Sequence, residues 1–265
     1  MQSDLIYYFT SMGASYPTKL FLAMRSGNRC AMSDCRKGLT ADGDQSDPAV
    51  LGEAAHIYGE NPGSDRKPPS ARYLSSMSDN ERNHYTNLIY LCPTCHTKID
   101  KQEDDYSADS LKQLKREHEQ WVSDQLDQKM NEVSFAELEI ASKAIASGQH
   151  AEFSEDFATI TPSEKINKNN LSQSVRSDIA MGLSKSKEVE KFLANMAMNV
   201  DGEFPERLKN GFKTKYEELK KNLSGDELFA SMLEFSQAGQ KGFKQQAASL
   251  AILSHLFHIC EVFEK

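Results

Sequence analysis

Apolar positions recur at spacings of three and four through most of the second half of the chain, the signature of helices with one buried face. Leu111, Leu114, His118, Trp121 and Val122 mark the first long helix, with Asp109 or Ser110 as its N-cap. Ser134 is placed to cap a second helix that runs through Ala146 and ends at Gly148. Further helical patterns fall at about 171–183, 186–199, 205–222, 225–237 and 242–263. The last carries Phe243, Ala247, Leu250, Leu253, Leu256, Phe257 and Val262, enough to meet a core on more than one side. Asp201 with Gly202, and Ser224 with Gly225, are turn signals between helices. The polar stretch 149–169, with Pro162, reads as a linker or an ordered arm.

The first half is different. Residues 37–82 are broken by Gly38, Gly43, Pro48, Gly52, Gly59, Pro62, Gly63, Pro68 and Pro69. Two short apolar segments, 54–58 and 87–91, have strand length and strand-forming residues. The expected architecture is therefore α+β in two domains, a small-sheet domain over 1–128 and an all-α domain over 129–265. There is no internal repeat. The apolar side chains of the first 21 residues, Leu5, Tyr7, Tyr8, Phe9, Leu20 and Phe21, suit packing on either the first domain or a partner.

Composition narrows the functional classes. No apolar run approaches the roughly 20 residues of a membrane span, and the first 20 residues lack a basic-then-apolar leader, so a cytoplasmic protein with no membrane partner is expected. The formal net charge is −8 and both halves share the acidic excess. A chain that coats nucleic acid without specificity is usually basic; any nucleic-acid role must come from a local site.

Four of the five cysteines form two pairs, Cys30-x4-Cys35 and Cys92-x2-Cys95. Four thiolates suit tetrahedral zinc, and each spacing lets one turn supply two ligands. Structural Zn2+ is the expectation. Residues 36–91 separate the pairs, far more than a plain zinc ribbon needs, so the insert should hold something that the metal braces. Inside or beside it stand His56 in Glu53-Ala-Ala-His-Ile57, Asn87 before the second apolar segment, and His96 directly after Cys95. Asp100 follows one helical turn after His96. An imidazole and a carboxylate on one helical face can hold a divalent cation with positions left open.

The order His56, Asn87, Cys92-Pro-Thr-Cys95-His96 resembles the HNH endonucleases of the ββα-metal class over about residues 26–122. The resemblance implies that His56 is the general base that activates water, that Asn87 holds the His56 loop or ring, and that His96 binds a catalytic Mg2+ or Mn2+. Many members carry an acidic metal ligand just before the first histidine; here that residue is Ala55. Asp100 is the expected replacement, since related nucleases take both ligands from one helix, and Glu53 is the next candidate. The substrate implied is DNA.

Other residues carry weaker signals. Arg72, Arg82, Lys98 and Lys101 are possible phosphate contacts, and His84 reads as a surface residue. His118, Glu119 and Trp121 are expected to pack their helix on the zinc module. His255, His258 and Cys260, on an apolar helix, read as core and partner surface. In the helical half, the stretch 160–171, Phe204-Pro-Glu-Arg-Leu-Lys and Ser224-Gly-Asp-Glu-Leu-Phe resemble the C-terminal domains of effectors in ABC-three-component systems, among them Lamassu-like antiphage operons. That resemblance implies an SMC/Rad50-like ATPase and a small middle subunit as partners, and a homo-oligomer when active. An HNH effector switched by a cyclic oligonucleotide, as in CBASS, and a non-catalytic zinc adaptor are the alternatives.

Overall fold

The computed structural model describes residues 13–41, 49–148, 160–237, 242–259 and 262–264. Leu5, Tyr7, Tyr8, Phe9, Gly43, Pro48, Cys260 and the stretch 149–159 lie outside the described residues.

The chain opens with α1 (Tyr16–Arg25), whose first turn contains Pro17 and whose N-cap Ser15 accepts from the Thr18 N–H. Two residues each form β1 (Thr40–Ala41) and β2 (Ala49–Val50), which pair with one another. The next two strands, β3 (Glu53–His56) and β4 (Leu88–Leu91), pair antiparallel with Glu53 opposite Leu91 and His56 opposite Leu88. All four β4 residues are buried, as an apolar run in a covered strand demands. Between these strands lie α2 (Asp79–Arg82), fixed by a Ser78/Glu81 capping box, and a 3-10 turn over Tyr85–Asn87. Directly after β4 comes α3 (Pro93–Lys101), which seats Ile99 in the core against the two strands. Two strands and a helix, in that order, form the N-terminal module.

The long α4 (Ala108–Met130) begins one turn earlier than its apolar period suggests. Ser107 is the N-cap and accepts from the Ser110 N–H, which puts Asp109 inside the first turn, where a carboxylate faces the positive end of the helix. Then follow α5 (Phe135–Ala146), α6 (Pro162–Lys168), α7 (Gln173–Leu183), α8 (Ser186–Asn199), α9 (Phe204–Leu219), α10 (Gly225–Gln237) and α11 (Phe243–His258). Of the two readings of 149–169, linker or ordered arm, helix α6 excludes a plain linker over 162–168. Pro162 starts this helix, because a missing N–H costs nothing in a first turn, and Thr161 with Glu164 closes a capping box ahead of it. Helix α11 stops at His258, short of the 263 that its apolar pattern suggests.

Small-sheet module and helical bundle together make an α+β fold. One apolar cluster joins Leu22, Leu39, Ile57, Leu88, Ile89, Leu91, Ile99 and Leu111. The other is built by α5 to α11 around Phe192, Phe212, Phe229 and Phe257. Gly182 allows α7 and α11 to touch: a Cβ there would fall 2.7 Å from the Leu250 carbonyl oxygen.

Helices α1 and α4 serve both clusters. Phe21 and Met130 enter the helical core, while Leu22 and Leu111 enter the other. Along this seam Arg25 of α1 pairs with Asp178 of α7 at 3.2 Å, and Thr18 donates to Glu227 of α10 at 2.9 Å. His118 Nε2 lies 3.1 Å from the Ser26 carbonyl oxygen, and Trp121 stacks on His118, meets Phe243 of α11 edge-on and carries the Arg36 guanidinium over its ring.

Candidate active site and metal centre

The cysteine pairs meet where β4 turns into α3. Cys92 is the N-cap of α3, with its sulfur accepting from the Cys95 N–H at 3.4 Å. The Cys92 N–H in turn points at Cys30 Sγ, also at 3.4 Å, and the Ala31 N–H binds the Tyr90 carbonyl at 2.9 Å. The loop 30–35 thus clamps onto the end of β4. The sulfurs of Cys30, Cys35, Cys92 and Cys95 lie within 4.8 Å of one another, and none is in a disulfide. Ligands at about 2.3 Å around tetrahedral zinc have their sulfurs a little under 4 Å apart, so this donor set fits such an ion with small adjustment. Among the described residues it is the one group of three or more metal-ligating side chains drawn together this closely. Burial pushes the Cys30 thiol up to about 11; a metal that binds there must displace its proton.

His56 ends β3, half-buried, with ring Nε2 at 3.1 Å from Asn83 Oδ1. Asn87, 3% exposed, secures the chain that follows His56. Its Oδ1 accepts from the Tyr58 N–H at 2.9 Å, and its Nδ2 donates to the carbonyls of Tyr58 at 3.1 Å and Arg82 at 2.8 Å. The Ile57 N–H completes the staple on the Asn87 carbonyl at 2.8 Å. Every polar atom of the Asn87 amide works on loop geometry, and it is Asn83, one turn earlier, that contacts the imidazole.

His96 lies in the second turn of α3 between two carboxylates. Its Nδ1 is 2.7 Å from Glu53 Oε2 and its Nε2 is 3.3 Å from Asp100 Oδ2. The Asp100 hydrogen bond, aided by Glu53 and opposed by burial, raises the imidazole above its ordinary pKa. Asp100 itself is held below the usual carboxylate range: burial opposes this, and the hydrogen bonds from His96 and Arg72 outweigh it. Both expected ligands of the helix therefore come together, and Glu53 reaches them from the strand. Ala55 is fully buried on the same pleat as Glu53, two residues on. The carboxylates lie on opposite ring nitrogens, so the imidazole with one of them is a donor pair of the kind that suits a hard divalent cation.

Arg72 links these parts. Its Nε donates to the Ile57 carbonyl at 2.8 Å, and its two terminal nitrogens to the Ile99 carbonyl at 2.7 Å and Asp100 Oδ1 at 2.8 Å. The guanidinium thereby ties the residue after His56 to the end of α3. Arg82 points inward too, donating to the carbonyls of Gly59, Leu74 and Met77 at 2.6–2.9 Å. Neither arginine is left facing solvent for phosphate, whereas Lys98 and Lys101 are exposed on α3. His84 caps the 3-10 turn through Thr86. In the bundle, His255 is buried with Nδ1 at 2.9 Å from Ser186 Oγ, and His258 is exposed. Sequence reasoning missed Asn83 and the inward course of Arg72. Asn83 has a weak local signal, an amide one turn before Asn87; nothing near Arg72 announces that its backbone takes φ 56° and turns the side chain inward.

No helix among the described residues is long and apolar enough to cross a membrane. No curated protein matches the chain. Residues 30–103, from the first knuckle cysteine to just beyond α3, match the family model of the HNH endonucleases, and the N-terminal module is an HNH endonuclease domain.

Proposed function

We propose that the chain is a metal-dependent endonuclease that hydrolyses DNA phosphodiester bonds, with His56 as general base and His96 as a ligand of the catalytic ion. The observation that carries this reading is an oriented imidazole on the same strand that brings a carboxylate to His96. His56 sits at the end of β3 with Nε2 on an amide oxygen, and the same strand delivers Glu53 to His96. With Nε2 donating to Asn83 Oδ1, the lone pair is on Nδ1, where it can take a proton from water. Asn87 and Arg72 hold the loop from which that ring projects.

A bound Mg2+ or Mn2+ supplies charge stabilisation for the crowded phosphate oxygens and the leaving oxygen. His96 and one flanking carboxylate would hold it, while the other carboxylate orients the ring. Asp100 comes first on sequence grounds, yet it already shares its charge with Arg72. Glu53 is therefore the ligand proposed, with Asp100 as the orienting group. Zn2+ at the four cysteines would be structural, clamping the knuckle to the hairpin and helix. Phosphate contacts fall to the exposed Lys98 and Lys101, as an acidic chain needs local basic groups for DNA.

The likeness of the helical half to effectors of ABC-three-component systems supports a second layer of the proposal. In it, α5 to α11 dock the nuclease on an SMC/Rad50-like ATPase and a small middle subunit, in an antiphage complex that clusters the nuclease when triggered.

The test is cleavage of supercoiled plasmid in magnesium or manganese by the purified chain, alone and with its neighbouring gene products, with His56→Ala in parallel. Cutting that the variant lacks, at unchanged zinc content and fold, is the expected outcome. No cutting in any assembled state would overturn the nuclease reading in favour of a zinc adaptor.

A further inference from the structure

On the seam between the HNH hairpin and the helical bundle lies a cavity of about 430 Å3. Its volume is within the roughly 300–1,000 Å3 of small-molecule sites. Leu20, Ala23 and Met24 of α1 form one wall, and Val50, Ala54 and Tyr90 of the strands face them. Lys19, Glu234 and Gln237 supply polar groups. The body is mainly apolar, with one unanswered polar atom in its lining: Tyr90 is 3% exposed and its hydroxyl, buried, has no hydrogen-bond partner. Leaving such a group unpaired is costly, and an acceptor or donor that reaches it recovers that cost. Gly52 makes room for this phenol: a Cβ there would fall 2.1 Å from Tyr90 Oη. Burial raises Tyr90 to about 12, so the hydroxyl is a neutral donor at physiological pH.

We propose that this cavity binds a small aromatic amine, whose ring fills the apolar body and hydrogen-bonds Tyr90 Oη, and whose amino group meets the Glu234 carboxylate. Apolar walls from α1 and the strands select the ring. The Glu234 carboxylate, exposed at the rim, draws the amino group; the Lys19 ammonium stands in the same lining, so acids of equal size are the control for charge. Ala54 is the cross-strand partner of Tyr90 and stands two residues before His56. A bound ligand therefore touches the hairpin of the HNH domain on one side and α1 and α10 on the other, where it can report a metabolite to both halves. The site stands independently of the cleavage reading, because it is defined by binding.

The experiment is ligand-observed NMR on the full zinc-loaded chain, with 2-aminopyridine, 4-aminoquinoline and benzylamine as probes. Benzoate and quinoline-4-carboxylate serve as acids of matched size. At least one amine should bind the wild type, with acids of its size at least tenfold weaker. Ala54→Leu fills the cavity from the strand and Leu20→Trp fills it from α1; each should abolish binding while melting stays cooperative. Having two occluding variants on different elements keeps the test valid if one fails to fold. Tyr90→Phe should weaken the amine about fivefold to tenfold, and Glu234→Gln about tenfold. Absence of amine binding to the wild type, equal binding of the acids, or binding undiminished in a folded occluding variant would overturn the proposal.

Discussion

An imidazole can act as a base only through the nitrogen that is not already donating its proton, so the 3.1 Å contact between His56 Nε2 and Asn83 Oδ1 decides which side of the ring is reactive. Asn83→Ala should lower the kcat of plasmid or oligonucleotide cleavage by about tenfold to a hundredfold, part of the 10²–10⁴ that a positioned base contributes. KM should stay unchanged, because Asn83 positions the ring and does not reach substrate. Asn83→Asp keeps an acceptor at the same place and should retain most of the rate, a rescue that a merely structural role would not give. At His96 the two carboxylates sit on different ring nitrogens, so they can be separated by mutation. Glu53→Gln should raise the Mn2+ concentration needed for half-maximal cleavage at least tenfold, and Asp100→Asn should raise it less. Reversal of that order, read by titrating the metal against rate, would reassign the ligand to Asp100.

Elements meet at the cysteines. The knuckle 30–35, the end of β4 and the first turn of α3 share few backbone hydrogen bonds, and the four sulfurs gather at their junction. Structural zinc sites of this type supply roughly 10–16 kcal/mol in small domains. Cys35→Ser should therefore lose stoichiometric zinc. Amide exchange over residues 53–56 and 88–101 should rise by several orders of magnitude, while α7 and α11 keep their protection. Zinc-free protein with unchanged exchange in the hairpin would show that the ion is dispensable. This junction was legible in the sequence, because cysteine spacing and the apolar run before Cys92 are local patterns. So were the boundaries of α5, α8 and α10, which follow the apolar period, although only α5 also opens on a capping box. The start of α6 was not, since a proline opens a helix or breaks one according to its position, and only the Thr161/Glu164 box decides. Arg72 and Asn83 were beyond reach for another reason: their partners, Ile57, Ile99 and His56, lie 15 to 27 residues away, and no spacing encodes such contacts.

At the scale of the whole molecule, the HNH domain and the bundle are joined by charge as well as by apolar packing. Arg25 of α1 lies between Asp178 of α7 at 3.2 Å and Glu119 of α4 at 3.9 Å, and Lys115 pairs with Glu119 at 2.7 Å. Burial raises the Asp178 carboxyl to about 6 despite the attraction of Arg25. The folded state thus binds this proton more tightly than the unfolded chain does, where the value is 3.8. The stability gained from it is fully present below about pH 3.8 and is lost as pH rises through about 6. That difference corresponds to about 3 kcal/mol, or several degrees in Tm for a chain of this size. His255 opposes this trend: burial depresses its pKa, so its contribution is lost as pH falls below the ordinary histidine range. The comparison that isolates Asp178 is therefore with Asp178→Asn, a neutral side chain of similar shape. The variant should match the wild type near pH 4 and melt several degrees higher at pH 7, because it carries no buried carboxylate to ionise while Arg25 keeps Glu119 at 3.9 Å. The difference between the two Tm curves should open between pH 4 and 6. If instead the variant is less stable at pH 7 than at pH 4 relative to wild type, the Arg25 pair outweighs burial and the seam is held together by the ionised carboxylate.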